Sequence, residues 1–227
     1  MQTENEPKFS ALNFEFALFM PTTIFSDDFD YILSIQYSTS SPSFIASATQ
    51  SPIYTYVSTK LPSSIVSFFH LPTSDAQSTG SVSSALSAIG IKVDDGDTPY
   101  THVRLHKALG RTYLKEDNGL TTNPPFLISV AISPTSESEA DLNAWYAEEH
   151  LDLLSRVPGW EACRRFSLVD AKSNVTNVSP PRYLALHAYQ HLEGFDTEEY
   201  KAATSTPWRT RVMQSVVASE RNVYRLQ

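Results

Sequence analysis

From Phe126 onward the apolar positions switch between two spacings, every second residue and every third or fourth, with Pro, Gly and capping residues at the switches. Phe126–Ile132 is an apolar run closed by Pro134, which predicts a strand. Ser138 and Asp141 form a capping-box-like start for a helix running to about Val157, stopped by Pro158 and Gly159. Ala162–Val169 reads as a second strand, 170–181 as a polar loop, and Arg182–Tyr189 as a third strand. Asp196 with Glu199 can cap a short helix over Glu198–Ala203. Thr206 at N-cap and Pro207 at N1 start another, and Asn222–Leu226 closes as a fourth strand.

The first half is less regular. Residues 34–88 are crowded with Ser and Thr, broken by strand-like runs at Ile53–Val57 and Ile65–Phe69. Phe14–Met20, stopped by Pro21, predicts a first strand, and the acidic stretch Ser26–Phe29 predicts a short helix near Asp27 to Ser34. Asp94–Pro99 reads as a turn, Thr101–Leu114 as one or two strands, and Lys115 to Pro125 as a linker. Two domains follow, 1–123 and 124–227. In the second, two helices on one sheet face leave the other face apolar and in need of cover. Either a partner chain, giving a homodimer, or the N-terminal half supplies it.

Charge and composition narrow the partners. A net charge of −8 with no basic stripe argues against nucleic acid. No apolar run approaches the roughly 18 residues a membrane span needs, and the polar start lacks a signal-peptide layout, so a cytoplasmic, membrane-free protein is expected. Cys163 is the single cysteine, which excludes intrachain disulfides and cysteine-based zinc sites. The sequons at Asn174 and Asn177 read as chance matches in a polar loop.

The stretch Asp141–Trp160 sets Trp145-Tyr146, a helix-borne His150 and Val157-Pro158-Gly159 before a basic second strand with Arg164-Arg165. This pattern resembles the EthD-like branch of the dimeric α/β-barrel superfamily. Tyr183–His187 and Ala202–Arg209 look like its tandem fungal members, which carry two such modules. The resemblance covers the C-terminal half; the first half lacks the Trp-Tyr…His motif. It implies an α+β fold of two ferredoxin-like modules forming a pseudo-dimeric α/β barrel, antiparallel sheets with helices outside. It further implies cyclases, dehydratases, decarboxylases and monooxygenases of aromatic polyketides, often cofactor-free. The motif specifies fold far better than reaction.

On a helical wheel Leu142, Trp145, Tyr146, Leu153 and Val157 share an apolar sector, with Glu149 inside it and His150 at its edge. Glu149 therefore needs a partner, an arginine or a backbone amide. His150 is a candidate general acid or base, the competing reading being a packing residue at the helix end. Trp145 and Tyr146 read first as core, with the Tyr146 hydroxyl within reach of the His150 pocket. On the third strand Tyr183, Ala185, His187 and Tyr189 share one face and Leu184, Leu186 and Ala188 the other. The leucine face is expected under the helices, which sends His187, a second candidate acid or base, and Tyr189 into the barrel. By the same alternation Arg165, with Cys163, is expected to face the barrel and to stabilise enolate charge there. His102, Arg104 and His106 alternate onto one face in the first half, where they either steer an anionic phenolate or carboxylate or face solvent, the plainer expectation. Scattered histidines and seven glycines without a Gly-x-Gly-x-x-Gly loop offer no metal site and no nucleotide or flavin cradle.

The function that the resemblance implies is a cofactor-independent lyase, cyclase or isomerase of secondary metabolism acting on a small hydrophobic, polyketide-like metabolite. The alternatives are a non-catalytic ligand-binding or stress-related barrel protein and a monooxygenase, cofactor-free or with heme on an axial histidine.

Overall fold

Antiparallel pairing carries the chain round a closed circuit. The computed structural model describes residues 23–40, 48, 50, 52–71, 80–91, 100–115, 123–175 and 179–227. The first half contributes β1 (Tyr31–Ser38), β2 (Tyr54–Ser58), β3 (Ser64–Leu71), α1 (Val82–Ala88) and β4 (Tyr100–Ala108). After the two-residue β5 (Tyr113–Leu114), the second half runs β6 (Phe126–Pro134), α2 (Glu139–Trp145), a π-helical turn (Tyr146–His150), α3 (Leu151–Ser155) and β7 (Trp160–Ser173). It ends with β8 (Tyr183–Tyr189), α4 (Glu198–Thr204), α5 (Pro207–Gln214) and β9 (Val216–Leu226).

The strand order is β4-β1-β3-β2-β9-β6-β8-β7, and β7 returns to pair with β4. Within each half the order is therefore fourth-first-third-second. The halves meet twice in the same way, the second strand of one beside the fourth of the other: β2 with β9 and β4 with β7. The apolar sheet face predicted to need cover receives it from the other half of the same chain. Closure leaves each barrel strand with two neighbours over at least part of its length, which limits exposed edges.

Among the described residues three apolar clusters form the core. Ile32, Tyr56, Phe68, Leu127, Phe166, Leu184 and Leu186 draw on both halves and occupy the barrel interior. Ile128, Cys163, Tyr183, Ala185, Tyr189 and Val223 lie on the outer face of the second-half sheet, beneath Leu142, Trp145, Leu154 and Val212 of the helices. Leu33, Phe69 and Leu105 pack outward against Leu86 of α1.

These clusters reverse one sequence expectation. Leu184, Leu186 and Ala188 line the barrel interior, while Tyr183, His187 and Tyr189 sit under the helices. Arg164, not Arg165, is the inward residue of its pair, stacked with Phe29 and Phe166. Every residue of β8 is buried, so neither face carries a polarity that marks it as inner. The interior takes the aliphatic set, which packs with Phe68, Leu127 and Phe166.

Other boundaries moved as well. The helix expected near Asp27 to Ser34 is a turn followed by β1. Ser26 accepts from the Asp28 N–H at 3.2 Å and closes a local turn instead of capping a helix. Thr197, not Asp196, caps α4, accepting from Tyr200 N–H. Thr206 and Pro207 start α5 as expected. β7 and β9 extend beyond their predicted ends, β7 through Ser173 and β9 back to Val216, because cross-strand pairing continues there. The expected strand Phe14–Met20, the turn Asp94–Pro99 and most of the linker lie outside the described residues.

Arg164 anchors one end of the barrel. Residues 23–30 fold over that end, where Ile24, Phe25 and Phe29 are buried. The guanidinium, 2% exposed, donates from Nη2 to the Phe29 carbonyl at 2.5 Å and from Nη1 to the Ile24 carbonyl at 3.5 Å. Burial lowers its pKa, and the carboxylates Asp27, Asp30 and Asp28 oppose that shift. Arg164→Met fills similar space but strands both carbonyls, each costing about 1–3 kcal/mol when unsatisfied. Chemical denaturation of this variant should show a loss of about 2–4 kcal/mol. A loss below about 0.5 kcal/mol, the ordinary scatter of surface changes, would mean the plug does not depend on this side chain.

Candidate functional site

A π-helical turn places the principal imidazole. Between α2 and α3 the Leu151 N–H bonds to the Tyr146 carbonyl, five residues back, and inserts one residue into the helical ladder. The phase shifts accordingly. His150, Leu151 and Leu154 turn inward behind Trp145 and Tyr146, while Glu149 and Leu153, expected inside, come to the margin. Glu149 still finds partners, though neither an arginine nor an amide. The Trp145 indole donates to it at 3.1 Å and the Thr206 hydroxyl at 2.6 Å. Since the Thr206 oxygen also accepts from Arg209 N–H, the start of α5 is tied to the π turn.

His150 stacks on the Trp145 ring at 4.0 Å between centroids and meets the Tyr146 ring edge-on at 5.3 Å. Burial pushes its pKa down to about 3. A hydrogen bond with the backbone of Ala203 opposes this, which makes the imidazole the donor, and the charges of Arg209 and Arg165 add to the lowering. Nδ1 of His150 is buried without a partner. The proton therefore resides on Nε2, and Nδ1 presents a bare lone pair.

His187, on β8, reaches the same space from the sheet. The Trp160 indole, which can only donate, points to His187 Nδ1 at 3.3 Å. That leaves the proton on Nε2, 3.9 Å from the Cys163 sulfur. Burial again drives the pKa down to about 3, and His150, Arg221 and Arg165 deepen the shift. Cys163 is itself buried, its thiol pushed up to about 12, so it stays protonated and inert at neutral pH.

Between the two imidazoles lies a cavity of about 60 Å³ lined by Ile128, Val130, Leu154, Tyr189, Phe195, Tyr200, Thr204 and Arg221. It borders partly exposed residues of α4 and the turn before it, and opens to solvent on that side. No carboxylate is among these lining residues. Arg165 faces this layer, its guanidinium 4.0 Å over the Tyr146 ring and bonded to Asn143 Oδ1 at 2.8 Å. Among the described residues none of Arg165, Arg209 and Arg221 forms an ion pair, so the cavity carries a positive field without a fixed counter-charge. The space beside His150 Nδ1 takes the head of a ligand but not a macrocycle, so heme does not fit this arrangement.

The structure thus brings together Trp145, Tyr146, His150, Arg165, His187 and Tyr189. Tyr183 stands apart at the far end of β8, where its hydroxyl donates to Glu139. His102 and His106 lie on the interior face of the sheet, away from this cavity, His106 buried and His102 half-buried. Arg221, Tyr200 and Phe195 were missed by sequence reading. Only a β9 that begins at Val216 puts Arg221 opposite Val130 and on the outer face. Among the described residues no group of His, Cys, Asp and Glu could hold a metal ion, and no helix is long and apolar enough to cross a membrane.

No family model matches the chain, and no curated protein matches it. Several solved structures are similar over most of their length, two of them as follows. One is an anthrone oxidase-like protein, 12% identical, with a TM-score of 0.56 over 88% of this chain and 92% of that one. The other is a mutant chlorite dismutase from Candidatus Nitrospira defluvii in complex with cyanide, 11% identical, with a TM-score of 0.54 over 89% and 92%. At such identity the likeness shows the fold alone: a dimeric α/β barrel of ferredoxin-like halves, closed here within a single chain.

Proposed function

We propose that the His150–His187 cavity binds a small, largely apolar, polyketide-like molecule and removes a proton from it to give an enolate or phenolate. The observation that carries this reading is the lone pair of His150 Nδ1, buried without a partner in a cationic cavity. Burial disfavours the imidazolium: a fall from 6.5 to about 3 corresponds to roughly 5 kcal/mol. A substrate anion formed beside it changes the balance, because imidazolium and enolate then pair in a low-dielectric space. The proton moves from the substrate carbon or hydroxyl to Nδ1, and the electron pair moves to the substrate oxygen. Arg165, Arg209 and Arg221 supply the charge that stabilises that oxygen as it forms. Phe195 and Tyr200 give the ligand body an aromatic wall at the opening.

An enolate is a common first step toward dehydration, cyclisation and isomerisation, so this site accommodates each of those outcomes with its own side chains. The anthrone oxidase-like neighbour supports the substrate class. An anthrone bears a methylene whose deprotonation delivers charge to a carbonyl oxygen. The small volume favours a second reading, a binding site without turnover, in which the same groups hold a phenol.

Anthrone in deuterated buffer separates the two. Proton transfer should appear in NMR spectra as enzyme-dependent loss of the methylene signal. His150→Ala and Arg165→Met should each slow it by 10²-fold or more, on the order expected for removing a positioned acid–base or oxyanion group. Saturable binding with no exchange above buffer would leave only the binding reading.

The neutral histidines also set a pH dependence of stability. His106, His150 and His187 have folded pKa values near 3, below the ordinary 6.5. Between those values the unfolded chain binds more protons, so stability is full above pH 6.5 and falls as the pH drops. Each contributes a slope of about 1.4 kcal/mol per pH unit. Thermal melts should show Tm falling from pH 6.5 to 5, before most carboxylates titrate, with a shallower slope in His187→Gln. A Tm independent of pH over that range would contradict buried, uncharged imidazoles.

A further inference from the structure

The end of the barrel away from Arg164 carries a second polar cluster, on the opposite face of the sheet from His150. β4 turns His102, Arg104 and His106 inward, β9 turns Asn222 and Tyr224 inward, and Ser129 of β6 joins them. β4 and β9 are four places apart in either direction round the circuit, so these residues face each other across the barrel. Arg104 spans the gap. Its Nη1 and Nη2 donate to Oε2 and Oε1 of Glu220 at 2.6 and 3.0 Å. This is the two-pronged geometry by which a guanidinium takes any carboxylate.

A brace alone leaves the neighbouring groups unexplained. Nδ1 of His106, a side chain only 2% exposed, is buried without a partner. The Tyr224 phenol, the Asn222 amide and the Ser129 hydroxyl line the same space. They surround a space of about 30 Å³ floored by Val66, Phe68 and Leu184, room for two or three waters. Burial and then the Arg104 charge hold His106 at a pKa of about 3, so it meets a ligand uncharged. Glu220 is the exposed member of the pair, its side chain 38% accessible against 18% for Arg104. It can swing out of the barrel, and its departure adds the volume of a carboxylate to the cavity.

We propose that this end of the barrel is a binding site for a short-chain monocarboxylate, with Glu220 as a built-in competitor that holds Arg104 until the ligand carboxylate replaces it. Tyr224, Asn222, Ser129 and His106 then complete the contacts to the ligand oxygens, and the apolar floor takes its short chain. One arginine balances one negative charge, which selects a monoanion over a dianion. The site is independent of the proton-transfer cavity, since it shares no residue with it.

Butyrate is the probe, read by the NMR resonance of the Arg104 Nε–H and by calorimetry. Glu220→Gln keeps the shape and removes the competing charge, so it should bind butyrate at least tenfold more tightly than the unaltered protein. The double variant Arg104→Met with Glu220→Gln leaves no stranded charge and should lose binding while keeping its thermal melt. Equal affinity of Glu220→Gln and the unaltered protein would overturn the proposal. So would binding that survives in the double variant, or an Arg104 resonance in Glu220→Gln unmoved by butyrate. This last reading needs no second substitution and stands even if the double variant does not fold.

Discussion

Two helix-covered sheets that each hide one face must hide the other, and this chain does so with itself. The joints β2–β9 and β4–β7 are the constraint on which the rest depends. Once both form, the uncovered faces of the two halves become one interior, and an apolar surface that a partner chain would otherwise cover is buried within the chain. Each closing pair sets the second strand of one half against the fourth of the other. The arrangement therefore has the logic of a two-fold dimer interface without a second molecule.

Closure also decides where chemistry can lie. The barrel interior draws on eight strands and packs mostly with aliphatic and aromatic side chains. Among the described residues two arginines bring charge into it. At one end, Arg164 satisfies the carbonyls of the covering segment; at the other, Arg104 meets Glu220 across the barrel. The layer between the second-half sheet and its helices is different. Helices present long aromatic and basic side chains at an angle to the sheet, and their packing leaves a second cavity, apart from the one inside the barrel. Trp145, Tyr146, His150, Arg165 and His187 converge in that layer.

The π turn gives that layer its particular character. A regular helix would have brought Glu149 over the sheet and put a carboxylate among the arginines, neutralising the field. The inserted residue exchanges Glu149 for His150 and leaves the carboxylate bonded to Thr206 and Trp145 at the margin. A neutral imidazole with an unpartnered Nδ1 in a positive field follows from one extra residue in one turn of helix. Such a turn weakens the local ladder, and the Thr206 link to α5 compensates by tying two helices together.

Much of this was legible from residues alone. Strand runs such as Phe126–Ile132 and the Thr206-Pro207 helix start announced the second half, because local periodicity and capping act over a few residues. The need for a second sheet layer was legible too, since it follows from counting which faces the helices can cover. What the chain could not reveal locally was the facing of β7 and β8. A strand buried on both sides has no polar face to mark as outer, and alternation is unchanged when inside and outside are exchanged. Nor could a wheel drawn at 100° per residue foresee an inserted residue, or β4 and β9 meet as neighbours of one pocket while they are more than a hundred residues apart in sequence. Those outcomes depend on which surfaces close against which, a choice made only when the whole barrel forms.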